Sequence, residues 1–183
     1  MMRPVFLIGY MGCGKTTLGE ALARQMGLRF IDLDEYIENR QGVTVMEIFS
    51  GNGEACFRRL ETEALRDVAV MSDVIVGCGG GTPCHGGNMA LMNQAGTTVW
   101  LTTAPERITA RLLLPEQKAK RPKVARLPDE AVLALVREEL QARVPFYSQC
   151  QLQFDSTDIE TGPATERTAR RLAALLAGHR RLP

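Results

Sequence analysis

A chain of 183 residues, 45% hydrophobic and 23% charged, can fill the core of one domain and leaves too little for two, and that balance excludes an intrinsically disordered protein. The formal net charge of +1 supplies no overall field that would draw the chain to nucleic acid or to a membrane surface, so any basic site must be local. The five cysteines (Cys13, Cys56, Cys78, Cys84 and Cys150) are odd in number and widely spaced, which suits free thiols in a reducing compartment better than a disulfide framework. The grouping Cys78…Cys84-His85 lacks the paired ligands of a zinc site. The apolar run after Pro4 is too short for a signal sequence, and no run is long enough to span a bilayer. The expectation is a cytoplasmic protein.

Val5-Phe6-Leu7-Ile8 is a continuous apolar run between Pro4 and Gly9, as expected of a strand buried on both faces. Gly14 to Met26 then reads as a helix, with Leu18, Leu22 and Met26 on one face and Gly27 as its stop. Phe30 to Leu33 is a second short strand, and Asp34 is a plausible N-cap for a helix through Ile37 to about Gln41. A helix over Val45 to Phe49 and a longer one from Glu54 to about Val70 follow. Val74-Ile75-Val76 is a strand running into a glycine-rich stretch. Gly87 to Ala95 is helical, Thr97 to Leu101 a strand, and Pro105 suits the first turn of a helix reaching about Leu114.

Residues 115–127 break the periodicity, with two prolines and five Lys or Arg (Lys118, Lys120, Arg121, Lys123, Arg126). A helix from Pro128 to Arg143, an edge strand around Leu152-Gln153-Phe154 and a last helix from Pro163 to Leu176 complete the chain. Alternation of strands and helices calls for one α/β domain over residues 1–183, with a parallel sheet covered on both faces.

Gly9-Tyr10-Met11-Gly12-Cys13-Gly14-Lys15-Thr16 fits GxxxxGK[ST] in full, between a strand and a helix. Such a loop turns its N–H groups inward around phosphate oxygens, with the positive end of the helix behind them. Gly12, Cys13, Gly14, Lys15, Thr16 and Thr17 are therefore assigned to ATP; Lys15 reaches the β- and γ-phosphates, and Thr16 ligates Mg²⁺. The loop alone does not choose among kinases, GTPases and ATPases. No NKxD-type guanine-reading segment is present.

Asp32 and Asp34 stand two apart at the end of a strand; if both remain extended, they face one side and can meet metal and acceptor in one cleft. An N-cap plus a surface acid explains the same spacing. Glu54, Arg58 and Glu61 share a helix face, which is either a solvated ion-pair surface or an arginine offered to a substrate carboxylate and held by acids. Gly79-Gly80-Gly81 is expected where a ligand must come close to the backbone. The basic segment 115–127 suits a mobile lid that excludes water and carries an arginine to the transferred group. Arg143 is a further anion ligand.

Together these residues resemble the shikimate kinases, from Val5 nearly to the last helix. The shared features are the phosphate loop, Asp32-Leu33-Asp34, Gly53-Glu54-x-x-Phe57-Arg58-x-x-Glu61, the triple glycine, Arg121-Pro122 and Arg143-x-Pro145-x-Tyr147. The resemblance implies a three-layer, nucleoside-monophosphate-kinase-like P-loop fold with a five-stranded parallel sheet of order 2-3-1-4-5, acting as a monomer. It implies transfer of the γ-phosphate of ATP to the 3-hydroxyl of shikimate, on the route to chorismate and the aromatic amino acids. Asp34, Arg58, Gly80, Gly81 and Arg143 would surround shikimate, with Arg58 and Arg143 on its carboxylate, Asp34 as base, and Phe49 and Phe57 walling the pocket; the helical region about 34–62 would bind it. Asp32 would hold Mg²⁺ through water, Lys15 and Arg121 would neutralise the moving phosphoryl group, and Arg111 would stack on adenine beside the loop after Phe154.

Two departures stand out. The lid reads Arg121-Pro122-Lys123-Val124 where the family usually has Arg-Pro-Leu-Leu, and the segment 155–163 is slightly long. Cys13 sits at a variable position, with no catalytic part for its thiol. A gluconate-type kinase would share the loop but would not need both Arg58 and Arg143. A binding module without catalysis would have lost Asp34, Lys15 or Arg121, and all three are present.

Overall fold

The computed structural model describes residues 1–119, 121–159 and 162–179; Lys120 of the basic segment and residues 160–161 of the segment 155–163 lie outside the described residues. Strand β1 (Val5–Ile8) is buried along its whole length, because both of its faces are covered. Val5 and Leu7 join one apolar cluster with Leu18 and Leu22 of α1 (Lys15–Met26) and Ala169, Leu172 and Leu176 of α9 (Pro163–His179). Phe6 and Ile8 point the other way, into a cluster with Leu33, Ile37, Leu65, Val68, Met92 and Tyr147. Period-2 alternation thus sends one apolar strand into two separate cores, which is why its sequence shows no polar face.

β1 pairs in parallel with β3 (Val74–Gly77) and β4 (Thr97–Thr102), β2 (Arg29–Asp32) flanks β3, and β5 (Leu152–Asp155) flanks β4. The order is β2-β3-β1-β4-β5, the order the resemblance implied, with β5 at an edge as expected. The helices between them are α2 (Leu33–Gln41), α3 (Val45–Ala69), α4 (Asn88–Ala95), α5 (Pro105–Leu112), α6 (Pro115–Ala119), α7 (Pro122–Ala125) and α8 (Asp129–Tyr147). Among the described residues no helix is long and apolar enough to cross a membrane.

Three differences from expectation, and one expected break, have physical causes. The N-cap of α2 is Asp32, whose side chain accepts from Asp34 N at 3.0 Å; Asp34 is therefore helical, and the two acids are not both extended. The two helical stretches expected over 45–49 and from 54 are present in α3 and meet at a kink at Gly53, where φ 77° and ψ 172° are open in practice only to glycine. Helix α8 runs past Arg143 through Pro145 to Tyr147, since Tyr147 is fully buried and its hydroxyl donates to Gly80 O at 2.5 Å. Tertiary burial there outweighs the bond that proline removes.

The basic segment also has structure. Pro115 and Pro122 open the two short helices α6 and α7, the position proline tolerates best. Val124 is fully buried against Tyr10, Ile108, Leu112, Val132 and Val136. One apolar side chain, invisible to a periodicity reading, anchors the region.

Candidate active site

The phosphate loop leaves β1 and enters α1 through three glycines at positive φ: Gly9 (143°), Gly12 (78°) and Gly14 (95°). A Cβ on Gly9 would stand 2.8 Å from Leu101 O, so both conformation and space require glycine. Lys15 folds over the loop, and its Nζ donates to Gly9 O (2.9 Å) and Tyr10 O (3.0 Å). The Cys13 thiol is buried beneath, and Cys13 O accepts from Ser156 Oγ at 3.0 Å; its side chain faces the core, and only its backbone can serve a phosphate.

A cleft of about 1030 Å³ opens in front of this loop, lined among others by Lys15, Thr16, Asp32, Asp34, Gly80 and Arg121. The Thr16 hydroxyl donates to Asp32 Oδ2 at 3.1 Å. Asp34 is largely buried, and its Oδ1 has no hydrogen-bond partner among the described residues. Burial first, then the nearby charges of Asp32 and Glu61, push its pKa up to about 6, against the pull of Lys15. A carboxylate so placed is a better proton acceptor near neutral pH than an ordinary aspartate.

On the acceptor side Arg58 is gripped from two directions. Its Nη1 donates to Glu61 Oε2 (2.9 Å), and its Nη2 and Nε donate to Glu54 Oε1 (3.0 and 3.2 Å). Glu54 is exposed, but Glu61 is completely buried and also accepts from Thr82 Oγ1. The helix face is thus no solvated surface: a short 3₁₀ turn, Thr82–Cys84, covers one of its acids. Phe49 and Phe57 stack with centroids 4.7 Å apart, and the Arg58 guanidinium lies 5.3 Å from the Phe57 ring centre.

Gly79, Gly80 and Gly81 join these groups. Their Cβ positions would fall 3.2 Å from Asp34 Oδ1, 3.0 Å from Arg143 Nη1 and 2.6 Å from Arg58 Nη2 respectively. The structure therefore brings Asp34, Arg58 and Arg143 along one strip of bare backbone. Arg58 and Arg143 lie outside the lining of the large cleft, which Asp34 and Gly80 share with the phosphate loop.

The remaining expected residues surround the nucleotide end. Thr17 lines the cleft. Arg111 donates to Gly12 O (3.0 Å), Thr157 O (3.0 Å) and Ile159 O (2.5 Å), tying the phosphate loop to the loop after β5. Arg121 lines the cleft beside Gln117, its Nη1 donating to Gln117 O (2.9 Å) and Oε1 (2.7 Å). Sequence reasoning missed Arg107 and Gln117, which also line the cleft. Arg107 stands four residues before Arg111 on α5, a spacing that shares a helix face and could have marked it.

The family model for shikimate kinase matches residues 11–174. The shikimate kinase of Phocaeicola vulgatus is 47% identical over 159 residues, 87% of this chain and 90% of that one. The crystal structure of shikimate kinase from Bacteroides thetaiotaomicron superposes with a TM-score of 0.92 at 42% identity, covering 97% of this chain and 99% of that one. The shikimate kinase of Acinetobacter baumannii, solved in complex with shikimate, gives 0.83 at 29% identity over 100% and 97%. With the family model matching residues 11–174 and relatives 42–47% identical over most of both chains, the chain belongs to the shikimate kinase family.

Proposed function

We propose that the protein transfers the γ-phosphoryl group of ATP to the 3-hydroxyl of shikimate, releasing shikimate 3-phosphate and ADP on the route to chorismate. The observation that carries this reading is the glycine strip: a carboxylate whose Oδ1 has no hydrogen-bond partner among the described residues and two guanidiniums meet a backbone stripped of Cβ atoms at Gly79, Gly80 and Gly81. An acceptor with one hydroxyl to deprotonate and one carboxylate to bind fits that set. Arg58 and Arg143 take the carboxylate, Gly80 and Gly81 let the ring approach, and Asp34 accepts the hydroxyl proton as the oxygen attacks phosphorus.

Phosphoryl transfer asks little covalent chemistry of a protein and much positioning and charge neutralisation. Lys15 exchanges the carbonyls of Gly9 and Tyr10 for phosphate oxygens, beside the N–H groups of Gly12 to Thr17. Arg121 leaves Gln117 and swings with the lid, 115–127, onto the transferring group, closing the cleft to water. Arg111, fixed by three carbonyls, presents its plane to adenine. Thr16 and Asp32 form an all-oxygen donor pair opening onto the cleft, which fits a hard cation that keeps most of its water. Thr16 would hold Mg²⁺ directly and Asp32 through water, and the ion would supply positive charge to offset that of the phosphates. The five thiols are free, in keeping with a cytoplasmic enzyme, and we read it as a monomer.

ADP release from Mg·ATP, measured with and without shikimate, tests the reading. A large shikimate-dependent rate, lost in Asp34→Asn or Lys15→Met with the fold intact, is expected. Folded protein that binds ATP yet shows no stimulation would sink the assignment, and other hydroxylated acids would then be screened.

A further inference from the structure

Glu139, on α8 one helical turn before Arg143, accepts three hydrogen bonds from three different parts of the protein. Its Oε2 takes Arg143 Nη2 (2.9 Å) and the Tyr10 hydroxyl (2.8 Å), and its Oε1 takes Lys123 Nζ (3.1 Å). Tyr10 belongs to the phosphate loop and is buried. Lys123 belongs to α7 in the lid and is one of the two residues departing from the usual lid sequence. The Arg143 guanidinium lies over the Tyr10 ring, 4.8 Å from its centre. Although burial opposes it, the Tyr10 hydroxyl and the two cations hold the Glu139 carboxyl below the usual range, so it is ionised at neutral pH.

The consequence for Arg143 is geometric. One nitrogen of its fork is committed to Glu139, while Nη1 is aimed at Gly80, 3.0 Å from the position a Cβ would take. A free arginine side chain samples many rotamers, and a fork already held by one carboxylate loses less freedom when it meets a second. We propose that Glu139 is a positioning residue for the acceptor: it orients Arg143 toward the substrate carboxylate and takes its own orientation from Tyr10 of the phosphate loop and Lys123 of the lid. This rests on the reading of Arg143 as a carboxylate ligand. It assigns the Lys123 departure a partner in the fold, since the lysine's charge meets the acid on α8.

Steady-state kinetics in the full-length enzyme, with shikimate and Mg·ATP varied separately, test the proposal in a double-mutant cycle of Glu139→Leu and Arg143→Ala. Glu139→Leu is expected to raise KM for shikimate about ten-fold, the scale of a small misplacement, and to leave KM for ATP within about two-fold. In the Arg143→Ala background the same change is expected to add nothing, because Glu139 acts through that arginine. Glu139→Gln, which keeps an acceptor oxygen, is expected to recover most of the loss; it also serves if Glu139→Leu fails to fold, with Glu139→Gln then showing a two- to three-fold rise of its own by the same reasoning. An unchanged shikimate KM in folded Glu139 variants, with Arg143→Ala impaired, overturns the proposal and leaves the site reading intact. Equal effects of Glu139→Leu in both backgrounds overturn it too, showing a structural role independent of Arg143. An unimpaired Arg143→Ala enzyme overturns both.

Discussion

The Arg58 guanidinium rests against Gly81 so closely that a Cβ there would lie 2.6 Å from Nη2 and 2.7 Å from Nη1. Gly81 has φ −93°, an ordinary backbone for any residue, so the contact alone requires glycine. Gly81→Ala is accordingly expected to fold normally while displacing Arg58 from its grip between Glu54 and Glu61. Titration of shikimate into the variant should show affinity reduced by about ten-fold or more, the scale of a misplaced ligand, with ATP affinity unchanged. Unaltered shikimate affinity would remove Arg58 from the acceptor site.

Asp34 places function and stability in opposition. Its folded-state pKa of about 6 lies above that of an unfolded aspartate, so the folded protein binds this proton more tightly and the ionised form opposes folding. That penalty is complete above about pH 6 and is relieved as pH falls toward 4, and it is on the order of 2–3 kcal/mol. Asp34→Asn should therefore melt higher than the parent at pH 7.5, with the difference closing by pH 4–5, while kcat falls by about 10²–10⁴. Calorimetry across that pH range, paired with kinetics, checks both. A variant that melts lower at pH 7.5 would contradict the buried-charge account.

Arg121 lines the cleft with the phosphate loop while its Nη1 donates to Gln117 O and Oε1. If the lid arginine acts only on the transferring group, Arg121→Ala should lower kcat by about 10³ and leave shikimate binding in the absence of nucleotide untouched. Titration calorimetry alongside steady-state rates separates these effects. A matching loss of ground-state shikimate binding would show that the arginine serves the acceptor instead.

Gly53 bends α3 at φ 77°, with nothing within 4 Å of a built Cβ. Gly53→Ala therefore meets backbone strain without a clash and should destabilise by roughly 1–2 kcal/mol. Because the bend separates Phe49 from Glu54 and Arg58, KM for shikimate should rise along with the fall in melting temperature. A melting temperature that does not drop would mean that the helix straightens at no cost.

Legibility in the sequence followed the range of the interactions. The phosphate loop was readable because every residue it needs lies within eight positions, and strands such as Val5-Phe6-Leu7-Ile8 because burial on both faces leaves an unbroken apolar run. The strand order came from resemblance, as nothing local encodes which strand lies beside which. The dual role of Asp32, capping α2 while bonding Thr16, was hidden because the residue two positions on could have capped as well. Glu54, Arg58 and Glu61 were visible as a helix face, but only the turn at Thr82 decides that Glu61 is buried. Tyr10 and Glu139 stand far apart in sequence, and neither has a local pattern that announces the other.

The sheet order also constrains how the chain comes into being. Val5 pairs with Ile75 on one side and Thr97 on the other, so the most apolar strand is made early and must wait for both neighbours. At ordinary elongation speeds that interval is roughly five seconds or longer, during which Val5-Phe6-Leu7-Ile8 is an unpaired, sticky ribbon. The central position that later buries this strand completely is the one that leaves it waiting longest on the ribosome. During synthesis, the segment a holding chaperone would most usefully cover is therefore the one bearing the phosphate loop.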